Sequence, residues 1–369
     1  MISRPVRWLL RGGALVCLIA GGLAVMSGTS AAAQTHFGQA TEVTAPFDAD
    51  SNPSAILRSV SCISVGNCVG VGGYTDSSGF AQAMAATETG WIWARAMEVT
   101  APSNSASPPN AILLGVSCTS AGNCVGVGGY TDSSGFSQAM AATETNGIWA
   151  QATEVTAPSN ATAHQPNSVV GFLGVSCISA GNCVGVGLYN DSTPRTQAME
   201  ATETGGTWAQ ATEVTAPFNA DNQYAQLSGV SCTSAGNCVG VGFYTDSSGA
   251  EQGMETTETG GSFAQAIEVT APPNAVNSSN GTQLLGVSCT SVGNCVGVGR
   301  YQDTSGSTQA MAATETGGIW AQATGVTTPA SPFGADGVLK AVSCTSEGNC
   351  VAVGTGLGQA IEATETGGT

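Results

Sequence analysis

Six copies of one cysteine frame punctuate the chain. Cys62/Cys68, Cys118/Cys124, Cys177/Cys183, Cys232/Cys238, Cys289/Cys295 and Cys344/Cys350 each place two cysteines six residues apart, with Gly-Asn before the second. The frame reads Val116-Ser117-Cys118-Thr119-Ser120-Ala121-Gly122-Asn123-Cys124 in the second copy, and successive first cysteines lie 56, 59, 55, 57 and 55 residues apart. A chain with such a period builds one supersecondary unit per repeat and buries its apolar faces by stacking the units. Gly-Asn supplies left-handed backbone for a tight reversal, so each pair is expected to close a β-hairpin. In an oxidising compartment the expected outcome is six local disulfides, staples rather than reactive thiols. Zinc fits less well, because no histidine accompanies a pair and the spacing exceeds the usual two to four residues. A bridge across so short a loop contributes about 2 kcal/mol, and strain offsets part of it.

The thirteenth cysteine, Cys17, belongs to a segment of another kind. Arg4, Arg7 and Arg11 precede an apolar run from Gly12 to Met26, and Ala31-Ala32-Ala33 offers the small residues that a signal peptidase reads. Residues 1–33 are therefore expected to be a signal peptide, cleaved before Gln34, and residues 34–369 the working domain. The apolar run is shorter than the roughly 20 residues of a membrane span, and no later segment is long and apolar enough to cross. Cleavage removes three of the eight basic residues and no acidic one, taking the net charge from −17 to −20. The expected location is extracellular, in solution or associated with the cell wall. So acidic a chain repels nucleic acid and anionic membranes, which need clustered Lys and Arg.

Each repeat reads as four short strands. In the second copy these are Leu113 to Cys118, Cys124 to Tyr130, Gln138 to Glu144 and Trp149 to Val155, separated by Gly, Ser, Asn or Pro turns. Val69 and Val71 share one face of a strand while Gly70 and Gly72 take the other, as crowding near a central axis would require. No segment shows a sustained helical period, and β-helix coils are much shorter than 55 residues. Four strands per repeat predict an all-β fold, a six-bladed β-propeller with four antiparallel strands per blade. The last repeat stops at Glu365-Thr366-Gly367-Gly368-Thr369, before its outer strand. Phe37-Gly38-Gln39-Ala40-Thr41-Glu42-Val43 matches that missing strand, as Trp208 to Val214 represents it in the third repeat. The N-terminal strand, residues 36–45, is thus expected to pair with the last repeat, residues 338–366, and to close the ring.

A family resemblance enters at the turn between the third and fourth strands. Ala201-Thr202-Glu203-Thr204-Gly205-Gly206-Thr207-Trp208 resembles the Asp-box (BNR) motif of sialidase-like propellers, Ser-x-Asp-x-Gly-x-Thr-Trp, with Ala for Ser and Glu for Asp. Related forms recur at Glu88 to Trp93, Glu144 to Trp149, Glu258 to Phe263 and Glu315 to Trp320. The cysteine frame is similar to repeats of secreted propellers from actinobacteria. The resemblance implies a fold more than an activity, because the box is usually structural. Catalysis in that family implies three arginines around a substrate carboxylate, a Tyr-Glu nucleophile pair and an Asp acid/base. Here Arg58, Arg95, Arg195 and Arg300 occupy four different positions of the repeat, whereas Tyr74, Tyr130, Tyr189, Tyr244 and Tyr301 recur at one, as packing residues do. His36 and His164 have no nucleophile partner in a distinctive frame, and the acidic residues repeat too regularly for any one pair to stand out.

The candidate binding face carries the loops between second and third strands and between repeats, since these vary in length and content. It bears Asp76, Asp132, Asp191, Asp246 and Asp303, which fit either a ring of carboxylates for a ligand or, more simply, Asx turns. Four residues before each first cysteine stand Arg58, Leu114, Leu173, Ser228, Leu285 and Lys340. Ring closure would make the two cations neighbours, so Arg58 and Lys340 are candidates for a small anion site. No catalytic residue, metal or cofactor is assigned. The expected function is that of a non-catalytic extracellular binding or structural module, monomeric, with a glycan or protein as ligand. The alternative is a hydrolase or lyase acting on a polysaccharide.

Overall fold

A computed structural model of the chain describes residues 41–162, 169–193, 195–328 and 336–368. The leader, His36, His164 and half of the expected closing strand, residues 36–40, lie outside them. In the first repeat β1 (Ile56–Ser64), β2 (Asn67–Thr75) and β3 (Ala81–Thr89) form an antiparallel meander, and two short pieces, β4 (Ile92–Trp93) and β5 (Met97–Glu98), both pair with β3. The second repeat has the same plan at Ile112–Ser120, Asn123–Thr131, Ser137–Thr145, Ile148–Trp149 and Thr153–Val155. The fourth strand breaks in two for a visible reason. Between its halves the Ala152 amide donates to Thr100 O of the preceding repeat, at 2.8 Å, and leaves its own sheet. Residues 43–369 make up one unit by their contacts.

All six cysteine pairs are disulfides: Cys62–Cys68, Cys118–Cys124, Cys177–Cys183, Cys232–Cys238, Cys289–Cys295 and Cys344–Cys350. Each joins directly opposed residues on the first two strands of a repeat, as Cys62 opposes Cys68, Cys177 opposes Cys183 and Cys289 opposes Cys295. The bridges are the six local disulfides expected, and they have a second part in the structure. The second cysteine of a pair is also a core residue: Cys124, Cys183, Cys238 and Cys295 are buried in four successive cores between repeats, and Cys350 is buried as well. The physical reason is the alternation of the second strand. It turns Cys183 and Cys295 toward the preceding repeat, where the sulfurs fill space among valines and alanines. These cysteines therefore serve packing as well as cross-linking.

The glycines of the second strand have a local cause. The first strand carries a bulge, between Leu113 and Gly115 in the second repeat. It drives a carbonyl toward the neighbouring strand, so that a Cβ on Gly128 would lie 2.0 Å from Ile112 O. A Cβ on Gly126 would lie 3.1 Å from Leu113 and 3.3 Å from the Trp149 ring. Crowding from the adjacent strand and the indole, rather than from a central axis, excludes side chains there.

The cores lie between repeats. Val69, Val71, Ala83, Ala85, Val99 and Ala101 of the first repeat pack against Leu113, Val116, Tyr130, Met140 and Ala142 of the second, and the next three interfaces have the same composition. The innermost strands meet through glycine: a Cβ on Gly115 would lie 3.1 Å from Gly174 Cα, one on Gly174 3.2 Å from Gly229 Cα, and one on Gly229 3.4 Å from Gly286 Cα. A hydrogen-bond ladder runs beside this seam. The Cys118 amide donates to Ser61 Oγ, and Cys177, Cys232, Cys289 and Cys344 donate in turn to Ser117, Ser176, Ser231 and Ser288 at 3.0–3.1 Å.

The fold is an all-β propeller, but the expected six-bladed ring closed by the N-terminal strand is not formed. The described residues make four complete sheets: three of five strands, from the first, second and fifth repeats, and one of ten, from the third and fourth. The propeller is therefore four-bladed, with a three-stranded sheet from the last repeat beside the four blades. Two causes are visible. In the fourth repeat the inner strand lengthens to Ala220–Ser234, and Tyr224 bridges Thr196 in parallel, merging two repeats into one sheet. Among the described residues the last repeat carries the three strands Gly337–Ser346, Asn349–Gly356 and Gln359–Thr366. Residues 41–45 form no strand, and Val43 and Thr44 engage the first repeat, Thr44 O accepting from the Ala96 amide. Among the described residues no bond carries the serine ladder from Ser343 back to Cys62.

The bulge makes a steric prediction. Gly187→Ala would place a Cβ 2.0 Å from Gly171 O and is expected to cost about 3 kcal/mol or more. Gly135→Ala, with open space around a φ of +85°, should cost only about 1 kcal/mol, from backbone strain. Urea unfolding of the two variants reads the difference.

Candidate functional site

The repeated aspartates are turn caps. Asp132 Oδ1 accepts the amides of Ser134 and Phe136 at 2.9 and 3.0 Å, while Oδ2 accepts Gln138 Nε2 at 2.9 Å. Asp76, Asp191, Asp246 and Asp303 accept the corresponding backbone amides and a glutamine in the same way. The bond from Gln82, with those from the backbone, holds the Asp76 carboxyl below the usual range. Arg58 and Lys340 are both exposed, on the first and last of the inner strands. Arg95 takes the place of Gln151, Gln210, Gln265 and Gln322. Like them it donates to a backbone carbonyl of the preceding segment, here Ala45 O at 2.7 Å, and its guanidinium stacks 4.3 Å above the Phe47 ring.

The recurrent tyrosines meet carboxylates, in a setting that keeps their protons on. Tyr130 Oη lies 2.7 Å from Glu154 Oε2 and 2.8 Å from Asn104 Oδ1, and Asn104 Nδ2 donates to the same carboxylate. Tyr189 with Glu213 and Asn160, and Tyr244 with Glu268 and Asn219, repeat the triangle; Tyr74 uses Asp48. Burial first, and the hydrogen-bonded carboxylate second, push the phenol pKa of Tyr130, Tyr189 and Tyr244 upward. A nucleophile needs the opposite shift, so these pairs are structural ties between the second strand and the outer strand.

A different cluster forms where the fourth and fifth repeats depart from the common pattern. Gln226 and Gln283 stand where other repeats have Ile56, Ile112, Gly171 and Val338. Ser228 replaces leucine, Phe243 and Arg300 replace Gly73 and Gly129, and Glu251 replaces Ala81, Ser137 or Thr196. These substitutions meet at the loop-side ends of the strands. Tyr224 Oη donates to Gln226 Oε1 at 2.5 Å, Gln226 Nε2 to Ser228 Oγ at 3.0 Å, and the Tyr224 ring stacks on Phe243 with centroids 5.5 Å apart. Gln283 sits opposite Arg300 and bridges two charges: its Nε2 donates to Glu251 Oε2 at 2.7 Å, and its Oε1 accepts from Arg300 Nε at 3.0 Å. The guanidinium is oriented through Nε, and its charge also acts on Glu251. Burial raises the Glu251 carboxyl pKa, partly offset by Gln283 and Arg300. Burial and the Glu251 charge raise that of Tyr224.

The sequence marks Ser228 and Arg300 singly, and Tyr224 as the end of a variable loop between repeats, Phe218 to Tyr224, but not their association. The available signal was the difference between each repeat and the common pattern, which places these residues in two consecutive repeats.

The hairpin side carries buried acids. Glu144, Glu203, Glu258 and Glu315 are almost wholly buried, each with an unpartnered Oε2, and desolvation raises each carboxyl pKa. Glu258 lies beside Cys232 and Cys238, but those sulfurs are bonded to each other and supply no thiolate for a metal. A cleft of about 350 Å³ opens there between the third and fourth repeats, lined by Ile178, Cys183, Val184, the Cys232–Cys238 bridge and Glu258. The matching crevice between the fourth and fifth repeats, which the Cys289–Cys295 bridge lines, measures about 30 Å³. Phe263 replaces tryptophan at the wider interface, where Trp320 serves at the narrower one.

No protein-family profile and no curated protein matches the chain. Among solved structures it is similar to Trypanosoma rangeli sialidase, at 11% identity and a TM-score of 0.48, over 89% of this chain and 56% of that one. It is likewise similar to a protein of unknown function from Dyadobacter fermentans, at 11% identity and 0.47, over 86% and 95%. The chain thus spans little more than half the length of that sialidase. At this identity the likeness carries nothing about residues or activity.

Glu255 generates a prediction on pH. Burial and the nearby Glu315 raise its pKa to about 7, above the unfolded value of about 4.5. A raised folded-state pKa adds stability that is complete below the unfolded value and is lost as pH rises through the folded one. Stability is therefore expected to fall between about pH 5 and pH 8. Glu255→Ala, which installs the residue found at Ala85 and Ala141, should flatten that decline in urea unfolding measured across the interval.

Proposed function

We propose that the chain is a secreted, non-catalytic β-propeller module that binds a glycan outside the cell, and that the Tyr224–Arg300 cluster is its binding site. One observation carries the reading. In a molecule whose repeats are otherwise nearly alike, the polar departures of two consecutive repeats converge on a single patch with an oriented, half-buried guanidinium. A repeat scaffold keeps what stacking needs and varies where a ligand is held. Six disulfides and the absence, among the described residues, of a helix long and apolar enough to cross a membrane accord with an extracellular setting. The leader at residues 1–33 and the Asp-box-like turns belong to the same reading. Arg58, Lys340 and the five turn aspartates are secondary positions, and a protein ligand is the competing partner.

A second reading, a polysaccharide hydrolase or lyase, draws on the proximity of Tyr224, Glu251 and Arg300. Burial raises the pKa of Tyr224 and so disfavours its phenolate as a nucleophile. Residues 34–369 would be titrated with immobilised neutral, uronic and sialylated glycans and assayed for reducing-end release. Retention that falls about tenfold or more in Arg300→Ala, and survives in Arg58→Ala and Lys340→Ala, is the expected result. Release that is lost in Tyr224→Phe would replace it with the enzyme reading. No retention on any glycan would remove it.

A further inference from the structure

At the turn between the third strand and the short outer piece, every repeat but the first places glycine second: Gly147, Gly206, Gly261, Gly318 and Gly368, with φ near +80°. The first repeat places Trp91 there, at φ +71°. A bulky side chain in left-handed backbone is strained, and strain that persists at one copy of a repeat points to use rather than to folding. Nor does the indole serve the core, since Trp91 is 72% exposed.

Its position is nevertheless defined. The Trp91 amide donates to Gly66 O at 3.2 Å, tying the turn to the tip of the neighbouring disulfide hairpin. A Cβ placed on Gly66 would lie 3.0 and 3.1 Å from the two ring-fusion carbons of the indole. The ring therefore lies over the Gly66 backbone, one face covered and the other open to solvent. Val65, next to Gly66 in sequence, is 78% exposed, and Ile92, next to Trp91, is 74% exposed; Ser64 and Thr89, one and two residues further along the two turns, are exposed as well.

We propose that Trp91 is a stacking platform for an uncharged pyranose, a second sugar-binding site on the face opposite the Tyr224–Arg300 cluster. The proposal rests on the glycan-binding reading and adds a site and a ligand class to it. A flat aromatic face attracts the polarised C–H face of a sugar ring, and the bordering hydroxyls suit the ring's own hydroxyls. Charge selects among ligands. The described cations, Arg58, Arg95, Arg195, Arg300 and Lys340, all lie outside these turns, so no cation there pairs with the carboxylate of an acidic sugar. A protein partner is less well served, because one indole and two aliphatic side chains fall short of the roughly 800 Å² per partner of a stable interface.

The test uses a substitution that the protein already contains five times. Trp91→Gly restores the common turn, so its thermal midpoint is expected to equal or exceed that of the parent. Titration calorimetry with cellohexaose and laminarihexaose should show saturable binding to the parent and a loss of about tenfold or more in Trp91→Gly, with Trp91→Tyr retaining part of it. Binding to polygalacturonate should be unchanged by the substitution. Equal affinity of parent and Trp91→Gly for the neutral oligomers overturns the platform while leaving the chain a glycan binder. Affinity for charged glycans alone, lost in Arg300→Ala, also overturns it and keeps the first site. No binding of any sugar overturns both.

Discussion

Everything in this molecule hangs on the face-to-face packing of consecutive repeats. No repeat owns its core: Val125, Val127, Ala139 and Ala141 of the second are buried only because Phe172, Cys183, Tyr189, Met199 and Trp208 of the third lie on them. Close approach of two sheets along a shared inner seam leaves no room for side chains, which is why Gly115, Gly174, Gly229 and Gly286 follow one another there. The second-strand glycines answer to a separate, local demand, a bulge carbonyl and an indole of their own repeat. Much of the composition, with 51 glycines in 369 residues, is thus a packing requirement rather than a sign of flexibility.

Between the repeats, polar groups are handled in two ways. Where the chain must turn, each acceptor is matched, as the Asp132 and Asp246 caps show. On the hairpin side four glutamates stay buried with an unused oxygen, an arrangement that favours the neutral acid. Glu200 and Glu255 add a further carboxyl to two consecutive interfaces, facing Glu258 and Glu315 respectively. These are the places where the stacking is weakest against ionisation, and the wider cleft lies at one of them.

Function, on this account, resides in departures from the pattern. A tyrosine shared by five repeats and tied to a carboxylate in four of them is scaffold. A tyrosine that occurs once, stacked on Phe243 and joined through Gln226 to Ser228, is something the fold did not require. Trp91 belongs to the same class, since the turn it occupies is made more easily by glycine. Trp91 lies exposed at a turn, and Tyr224 half-buried near a strand end.

Local matters were legible in the sequence alone, because they depend on neighbours along the chain. The period announced stacked all-β units, Gly-Asn announced the reversals, and cysteines six residues apart across a two-stranded turn could hardly avoid each other. Strand positions followed from the same spacing, and so did the reading of the aspartates as turn residues. What the tertiary structure decided was how units join. That Cys183 and Cys295 face a neighbouring repeat, and so belong to its core, is visible only once the sheets are stacked. Whether the third and fourth repeats share a sheet depends on where an extra Tyr224 lands in space, and whether the two ends meet depends on the accumulated rotation of every interface. Neither is written in any single repeat. The Gln283 bridge between Glu251 and Arg300 is of the same kind, for its three side chains come from three strands, two of them in the next repeat, and only packing brings those strand ends within hydrogen-bonding reach.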